Sequence, residues 1–250
     1  MSGITCPDCL SGSIKYGEPS GTVTTIQGLP EYVTRPTGTP KGLIVLIPDI
    51  FGWEISNCRL LADAYAKEGG FLVYLPNFMN GFIPSAGAMH AMELFLAPSP
   101  SIFTTIFNKP FWLLRHCGKD PETNTLKIGS AGFCWGGKYT ILLSQQPDLI
   151  DAAFTAHPSK MKVPEAWDKV QKPLSVAIGD VDTGIKIDMA KDVKTLLEGE
   201  SKPKGQNEVV IYAGAKHGFA ARADRKDEGQ TKSAGEAFQQ AIAWFTKWMI

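Results

Sequence analysis

Three short segments of this 250-residue chain carry side chains able to do covalent chemistry, in a fixed order. The first, Gly132-Phe133-Cys134-Trp135-Gly136, has the form Gly-x-Cys-x-Gly. A nucleophile at the apex of a sharp strand-to-helix turn needs very small neighbours at −2 and +2, because the backbone nearly touches itself there. A sulfur placed just before a helix also feels the helix N-terminus, which favours the thiolate. The second segment, Gly179-Asp180-Val181-Asp182, offers two carboxylates. The third, Lys216-His217-Gly218-Phe219, offers an imidazole. Together these types suit acyl transfer. The thiolate of Cys134 attacks a carbonyl, His217 takes and returns a proton, and a carboxylate holds the imidazole in the required tautomer. On chemistry alone Asp180 and Asp182 are equal candidates. Each residue also has a plainer reading: a buried cysteine is usually packing, and an Asp after a strand is usually a turn or cap residue. The order and the placement at three strand ends favour the chemical one.

Such residues need a scaffold that brings distant loops together, and the hydropathy pattern supplies one. The run Leu43-Ile44-Val45-Leu46-Ile47, bounded by Gly42 and Pro48, reads as a buried parallel strand. Further strands are expected at 22–26, 31–34, 71–75, 127–131, 150–156, 174–178 and 208–212. Helices are expected at 55–67, 101–116, 136–145, 187–197 and 231–248, with a short one near 88–96. Strands alternating with helices predict an α/β fold, a mostly parallel central sheet with helices on both faces. In such sheets ligands bind beyond the carboxyl ends of the strands, where the three segments fall. Nucleophile, acid, histidine is also the chain order of the α/β-hydrolase arrangement.

Lys and Arg number 25 and Asp and Glu number 25, so the formal net charge is zero. A nucleic-acid binder would carry a basic face, which this balance argues against. An anionic substrate would have to be held by a local group, because the molecule as a whole exerts no net pull. No stretch approaches the roughly 20 apolar residues of a membrane-spanning helix. The N-terminus shows no secretory signal, and five cysteines make a poor disulfide framework, so a reduced, cytoplasmic protein is expected.

The three segments, with the flanking Trp135 and Gly136-Gly137, resemble the dienelactone hydrolase (carboxymethylenebutenolidase) family of cysteine-nucleophile α/β-hydrolases. The resemblance runs from about residue 25 to the C-terminus and implies one α/β-hydrolase domain over 1–250, with 1–20 an irregular arm. It implies hydrolysis of a lactone or activated ester through a thioester on Cys134, with no cofactor and no metal. The family's Gly-x-x-Asp selects Asp182 over Asp180. Pro48-Asp49-Ile50-Phe51-Gly52 resembles the family's loop after an early central strand, with Asp49 where the family has a Glu that contacts the resting cysteine. The resemblance assigns the oxyanion hole to the backbone N–H groups of Ile50 and Trp135. The family's substrate-binding Arg lies four residues after the catalytic His; that position here is Ala221, and the arginine is Arg222. Asp49, Arg222, Phe51 and Phe219 are therefore expected to bind substrate or support those that do. The expected partner is a small lactone or ester, with no nucleic acid or membrane, in a monomer or homodimer.

The departures at Asp49 and Arg222 motivate a second reading, a metabolite-binding protein on the same fold without turnover. Hydrolysis of a cyclic anhydride or a lactone in secondary metabolism is a further possibility. A thiol redox protein built on Cys6, Cys9 and Cys134 is the third, although no βαβ unit surrounds Cys6-Pro7-Asp8-Cys9 and no second pair completes a zinc site. Cys58 and Cys117 read as packing residues. His116 reads as a helix cap and His157 as a residue supporting the site. The stretch 77–100, with Phe78, Met79, Phe82, Met89 and Phe95, reads either as an apolar pocket wall or as core filling.

Overall fold

The computed structural model describes residues 17–26, 28–79, 110, 111, 113–159 and 161–250. The Cys6/Cys9 pair, Phe82, Met89, Phe95 and the start of the helix expected at 101–116 lie outside them; residues 113–117 are helical.

The strands are β1 (Thr22–Ile26), β2 (Leu29–Thr34), β3 (Leu43–Ile47), β4 (Leu72–Pro76), β5 (Ile128–Phe133), β6 (Ala152–Ala156), β7 (Leu174–Gly179) and β8 (Asn207–Tyr212). The helices are α1 (Ser56–Ala64), α2 (Trp135–Leu143), α3 (Ile187–Glu198), α4 (Phe219–Arg222) and α5 (Glu228–Met249). One sheet runs in the order β1-β2-β4-β3-β5-β6-β7-β8. From β4 to β8 every neighbouring pair is parallel, whereas β1–β2 and β2–β4 are antiparallel.

Alternation along each strand sends side chains into two separate cores. On one face Leu43, Val45, Ile47, Leu72, Val176 and Ile178 pack with Tyr139, Ile141 and Leu143 of α2 and Ala190, Val193 and Leu197 of α3. On the other, Ile44, Leu46, Val73, Leu75, Ala131 and Phe154 pack with Cys58 and Leu61 of α1 and Ala237, Trp244 and Phe245 of α5. All five residues of β3 are fully buried, which is why that strand reads as an unbroken apolar run rather than an alternating one.

Several boundaries differ from the sequence reading. α1 runs on into a wider π-turn over Tyr65–Gly69 and ends at Gly70, which takes the left-handed conformation. α5 starts at Glu228 instead of 231, because Asp227 caps it by accepting from the Gln230 N–H, an anchor strong enough to carry Gly229 in the first turn. β2 starts at Leu29, so Pro30 lies within the strand rather than in the preceding turn. The four-residue α4 is too short for any periodicity to reveal it.

The carboxyl ends of β3, β5, β6, β7 and β8 lie side by side. Each continues into a loop bearing one of the segments discussed above. The packing between these loops is close: a Cβ added at Gly179, the last residue of β7, would overlap the Ala215 carbonyl in the loop after β8. Gly179→Ala is expected to cost about 1–3 kcal/mol of overpacking strain, read as a lower urea midpoint at unchanged m-value.

Candidate active site

β5 continues two residues beyond the expected end and delivers Cys134 at φ 52°, ψ −113°, a strained conformation for a residue with a Cβ. The strain comes from the tight join. A Cβ on Gly132 would overlap the Gly136 carbonyl and the Thr140 hydroxyl, and one on Gly136 would overlap the Ile47 carbonyl. The Gly136 N–H donates to the Pro48 carbonyl (3.1 Å), so the elbow is fastened to the end of β3. The Cys134 N–H donates to Ala156 at the end of β6 (3.4 Å).

The loop after β7 holds Asp182 and the loop after β8 holds His217; both side chains are almost wholly buried. Both carboxylate oxygens of Asp182 lie 3.0 Å from Nδ1 of His217. Oδ1 of Asp182 also accepts from the Gly184 N–H (2.6 Å) and the Ile185 N–H (3.2 Å), which fixes the carboxylate in place. Asp180 does something else: it accepts from the Gly214 N–H (2.7 Å) at an exposed turn. Burial opposes the charged form of His217, but a Cys134 thiolate, the bond to Asp182, the contact with Cys134 and the Asp182 charge outweigh it. Together they hold the imidazole pKa well above its ordinary value.

Asp49 closes the turn after β3 by accepting from the Phe51 N–H (2.9 Å). Its other oxygen takes a bond from Nε of Arg222 (2.7 Å) in a pair that is buried on both sides. The single turn of α4 swings Arg222 inward, and its guanidinium carbon lies 4.9 Å from the centre of the Phe51 ring. Asn57 of α1 donates to the Ala221 carbonyl (2.9 Å), tethering α4 from outside. Arg222 is thus engaged with the Asp49 carboxylate. Desolvation raises the pKa of Asp49 to about 6 against the opposing charge of Arg222, and a Cys134 thiolate nearby pushes the same way as desolvation.

His157, at the end of β6, is fully buried at φ 39°. Its ring meets the His217 ring edge-on at 5.1 Å and packs against Phe133 and Phe219. Neither ring nitrogen has a hydrogen-bond partner among the described residues. Burial, with the charges of His217 and Arg222 beside it, pushes its pKa well below the ordinary value, so the ring is neutral. Phe219 is buried, with its ring 5.8 Å from that of His157. Ser159, which the sequence reading passed over, places its hydroxyl 3.6 Å from the Cys134 sulfur. No motif marks it; only its distance of two residues from a strand-end histidine could have drawn notice.

Cys58 and Cys117 are buried in the two cores, and burial, with the charges of Glu31 and Asp120, pushes the Cys117 thiol up to about 12. His116, in the helical stretch, lies 3.5 Å from Asp120 one turn on. Phe78 and Met79 are buried in the same core as Trp135, with the Phe78 and Trp135 rings 6.3 Å apart. Among the described residues no group of three or more His, Cys, Asp or Glu side chains is placed to hold a metal ion, and no helix is long and apolar enough to cross a membrane.

The fold is that of the α/β-hydrolases. It is similar to the crystal structure of dienelactone hydrolase from Anabaena variabilis, with a TM-score of 0.65 at 17% identity over 93% of this chain and 99% of the other. The chain belongs to the dienelactone hydrolase family, whose model matches residues 29–249, and is a hydrolase of the lactone and ester class. Among curated proteins it is 27% identical to hydrolase pyvD of Aspergillus violaceofuscus, over 96% of both chains. It is 26% identical to the human carboxymethylenebutenolidase homolog, over 98% of this chain and 97% of that one.

The buried pair yields a pH-dependent expectation. The native pKa of Asp49 lies above the ordinary carboxyl value, so its proton favours folding below about pH 4, and that contribution fades as pH rises through about 6. Above this the ionised carboxylate depends on Arg222. Arg222→Leu, which strands that carboxylate, is expected to cost about 3–5 kcal/mol at pH 8. The loss should be distinctly smaller at pH 5, where Asp49 is protonated with or without its partner; urea unfolding at the two pH values reads the difference.

Proposed function

We propose that the chain opens a lactone or cleaves an activated ester through a thioester on Cys134, with His217 as acid and base and Asp182 as its orienting group. The observation that carries this reading is the buried line from Asp182 through His217 to a cysteine held at a strained elbow. The thiolate attacks the carbonyl carbon, and the oxyanion is received by the backbone N–H groups of Ile50 and Trp135. These belong to the two segments joined by the Gly136–Pro48 bond, and Trp135 opens α2, whose first N–H groups have no partner within the helix. Such donors are worth about 3–4 kcal/mol each in comparable sites. The acyl carbon–oxygen bond breaks, the leaving oxygen takes the proton from the His217 imidazolium, and a thioester remains. His217 then removes a proton from water, the hydroxide adds to the thioester, and the thiolate departs as the acid is released.

The leaving group is taken to be an enolate or stabilised alkoxide, which needs less proton assistance than an amide nitrogen, so peptides are not the expected substrates. Asp49, paired with Arg222 over Phe51, supports the nucleophile's side of the site. Phe219 acts through His157. A small-molecule substrate in a monomer or dimer free of nucleic acid, working in the cytoplasm, completes the proposal.

With a panel of lactones, cyclic anhydrides and aryl esters, Cys134→Ala is expected to lose about 10³-fold or more in turnover. Asp182→Asn should lose roughly 10²–10⁴-fold in kcat through the wrong His217 tautomer. Mass spectrometry of quenched wild-type enzyme should find the acyl group on the peptide containing Cys134. Full turnover by Cys134→Ala, or stoichiometric binding without turnover, would overturn the proposal.

A further inference from the structure

The segment after β6 runs against both reacting groups at once. His157, at its strained φ of 39°, donates its backbone N–H to the Ala177 carbonyl (2.8 Å) and lays its ring on His217. Two residues on, the Ser159 N–H donates to the carbonyl of Cys134 itself (2.8 Å). Between them Pro158 lies so close to Gly137 of α2 that a Cβ there would overlap it. The backbone is thus fastened on both sides of Pro158, and the Ser159 hydroxyl stands 3.6 Å from the Cys134 sulfur, within reach of a hydrogen bond to sulfur.

We propose that Ser159 is a further catalytic residue of this site, its hydroxyl donating to the Cys134 thiolate. The assignment rests on the reading of Cys134 as nucleophile. A hydroxyl has one donor and two acceptor positions, so beside a neutral thiol it accepts the S–H, and beside a thiolate it donates. The surroundings give this bond weight. Cys134 is buried, so water cannot solvate the anion freely. Among the described residues, the ionisable groups that act on it include His217 from the loop after β8, backed by Asp182 from the loop after β7, and Asp49 from the loop after β3. Asp49 is anionic when ionised and disfavours the thiolate, and Arg222, the nearby cation, is engaged with it. His157 is neutral and adds no charge of its own. Beyond His217 and the start of α2, support for the thiolate can come from a neutral donor, and the Ser159 hydroxyl is placed to supply one. The same bond serves the second half of the reaction, when the thiolate is the leaving group: the lower its pKa, the faster it leaves.

The test reads Cys134 directly, without turnover. The rate at which iodoacetamide alkylates Cys134 is followed against pH, with the modified peptide identified by mass spectrometry. Ser159→Ala is expected to move the midpoint up by about one unit, a hydrogen bond to the charged form having been removed. Ser159→Thr, which keeps the hydroxyl, is expected to bring it back. The backbone bond from residue 159 to Cys134 persists in each variant. Ser159→Gly replaces the alanine variant if that one does not keep the wild-type melting temperature. A midpoint unmoved by loss of the hydroxyl in a variant melting like wild type would overturn the role of Ser159 and leave the Cys134 reading standing. Full turnover by Cys134→Ala would instead remove the nucleophile, and with it the catalytic role of Ser159, whatever the alkylation profile shows.

Discussion

One of the tightest approaches among the described residues, where a Cβ on Gly136 would overlap the carbonyl of Ile47, governs the rest of the site. It requires β3 and β5 to be neighbours, and the two strands lie side by side at the centre of the sheet. It forces Cys134 into a conformation that a relaxed chain avoids, and the bond from Gly136 to Pro48 holds it there. Strain of this kind costs of order 1–3 kcal/mol and persists only where the surrounding packing over-determines it. Here the two cores, one on each face of the sheet, do so.

Around that point the electrostatics divide into two buried pairs with different tasks. Asp182 and His217 form a pair in which a Cys134 thiolate and the Asp182 carboxylate outweigh desolvation and hold the imidazole pKa above its ordinary value. Asp49 and Arg222 form a pair in which desolvation pulls the carboxyl toward neutrality while the guanidinium opposes it. The resemblance drawn from the sequence set Arg222 and Asp49 apart as two departures from the expected spacing and residue type, and the single turn of α4 brings the Nε of Arg222 onto Asp49. The two departures that looked independent in the sequence are thus joined in one contact.

What the sequence made legible follows a simple rule. Features set by local sterics or by alternation could be read: the glycines flanking Cys134, the unbroken apolar run of β3, and the parallel layering of strands and helices. The order of the three chemical segments could also be read, because topology places their strands together. Features set by contacts across the sheet could not. That Asp182 and not Asp180 approaches His217 came from the family resemblance, and the geometric reason is that Asp180 is spent on a turn at Gly214. The partner of Arg222, the proximity of Ser159 to the sulfur and the neutral state of His157 each depend on a loop from another strand. A serine or an arginine in such a loop looks like any other until the sheet closes.

The Asp49–Arg222 bond spans 173 residues of chain, and the Asp182–His217 bond joins two further crossovers. The residues brought together here follow the ends of five neighbouring strands. A ligand seated there would touch loops drawn from distant parts of the chain. A ligand that binds only the folded chain stabilises it by an amount that grows with the logarithm of ligand concentration above Kd. The melting temperature of the entire domain becomes a gauge of what the site accepts, even for compounds that are never turned over.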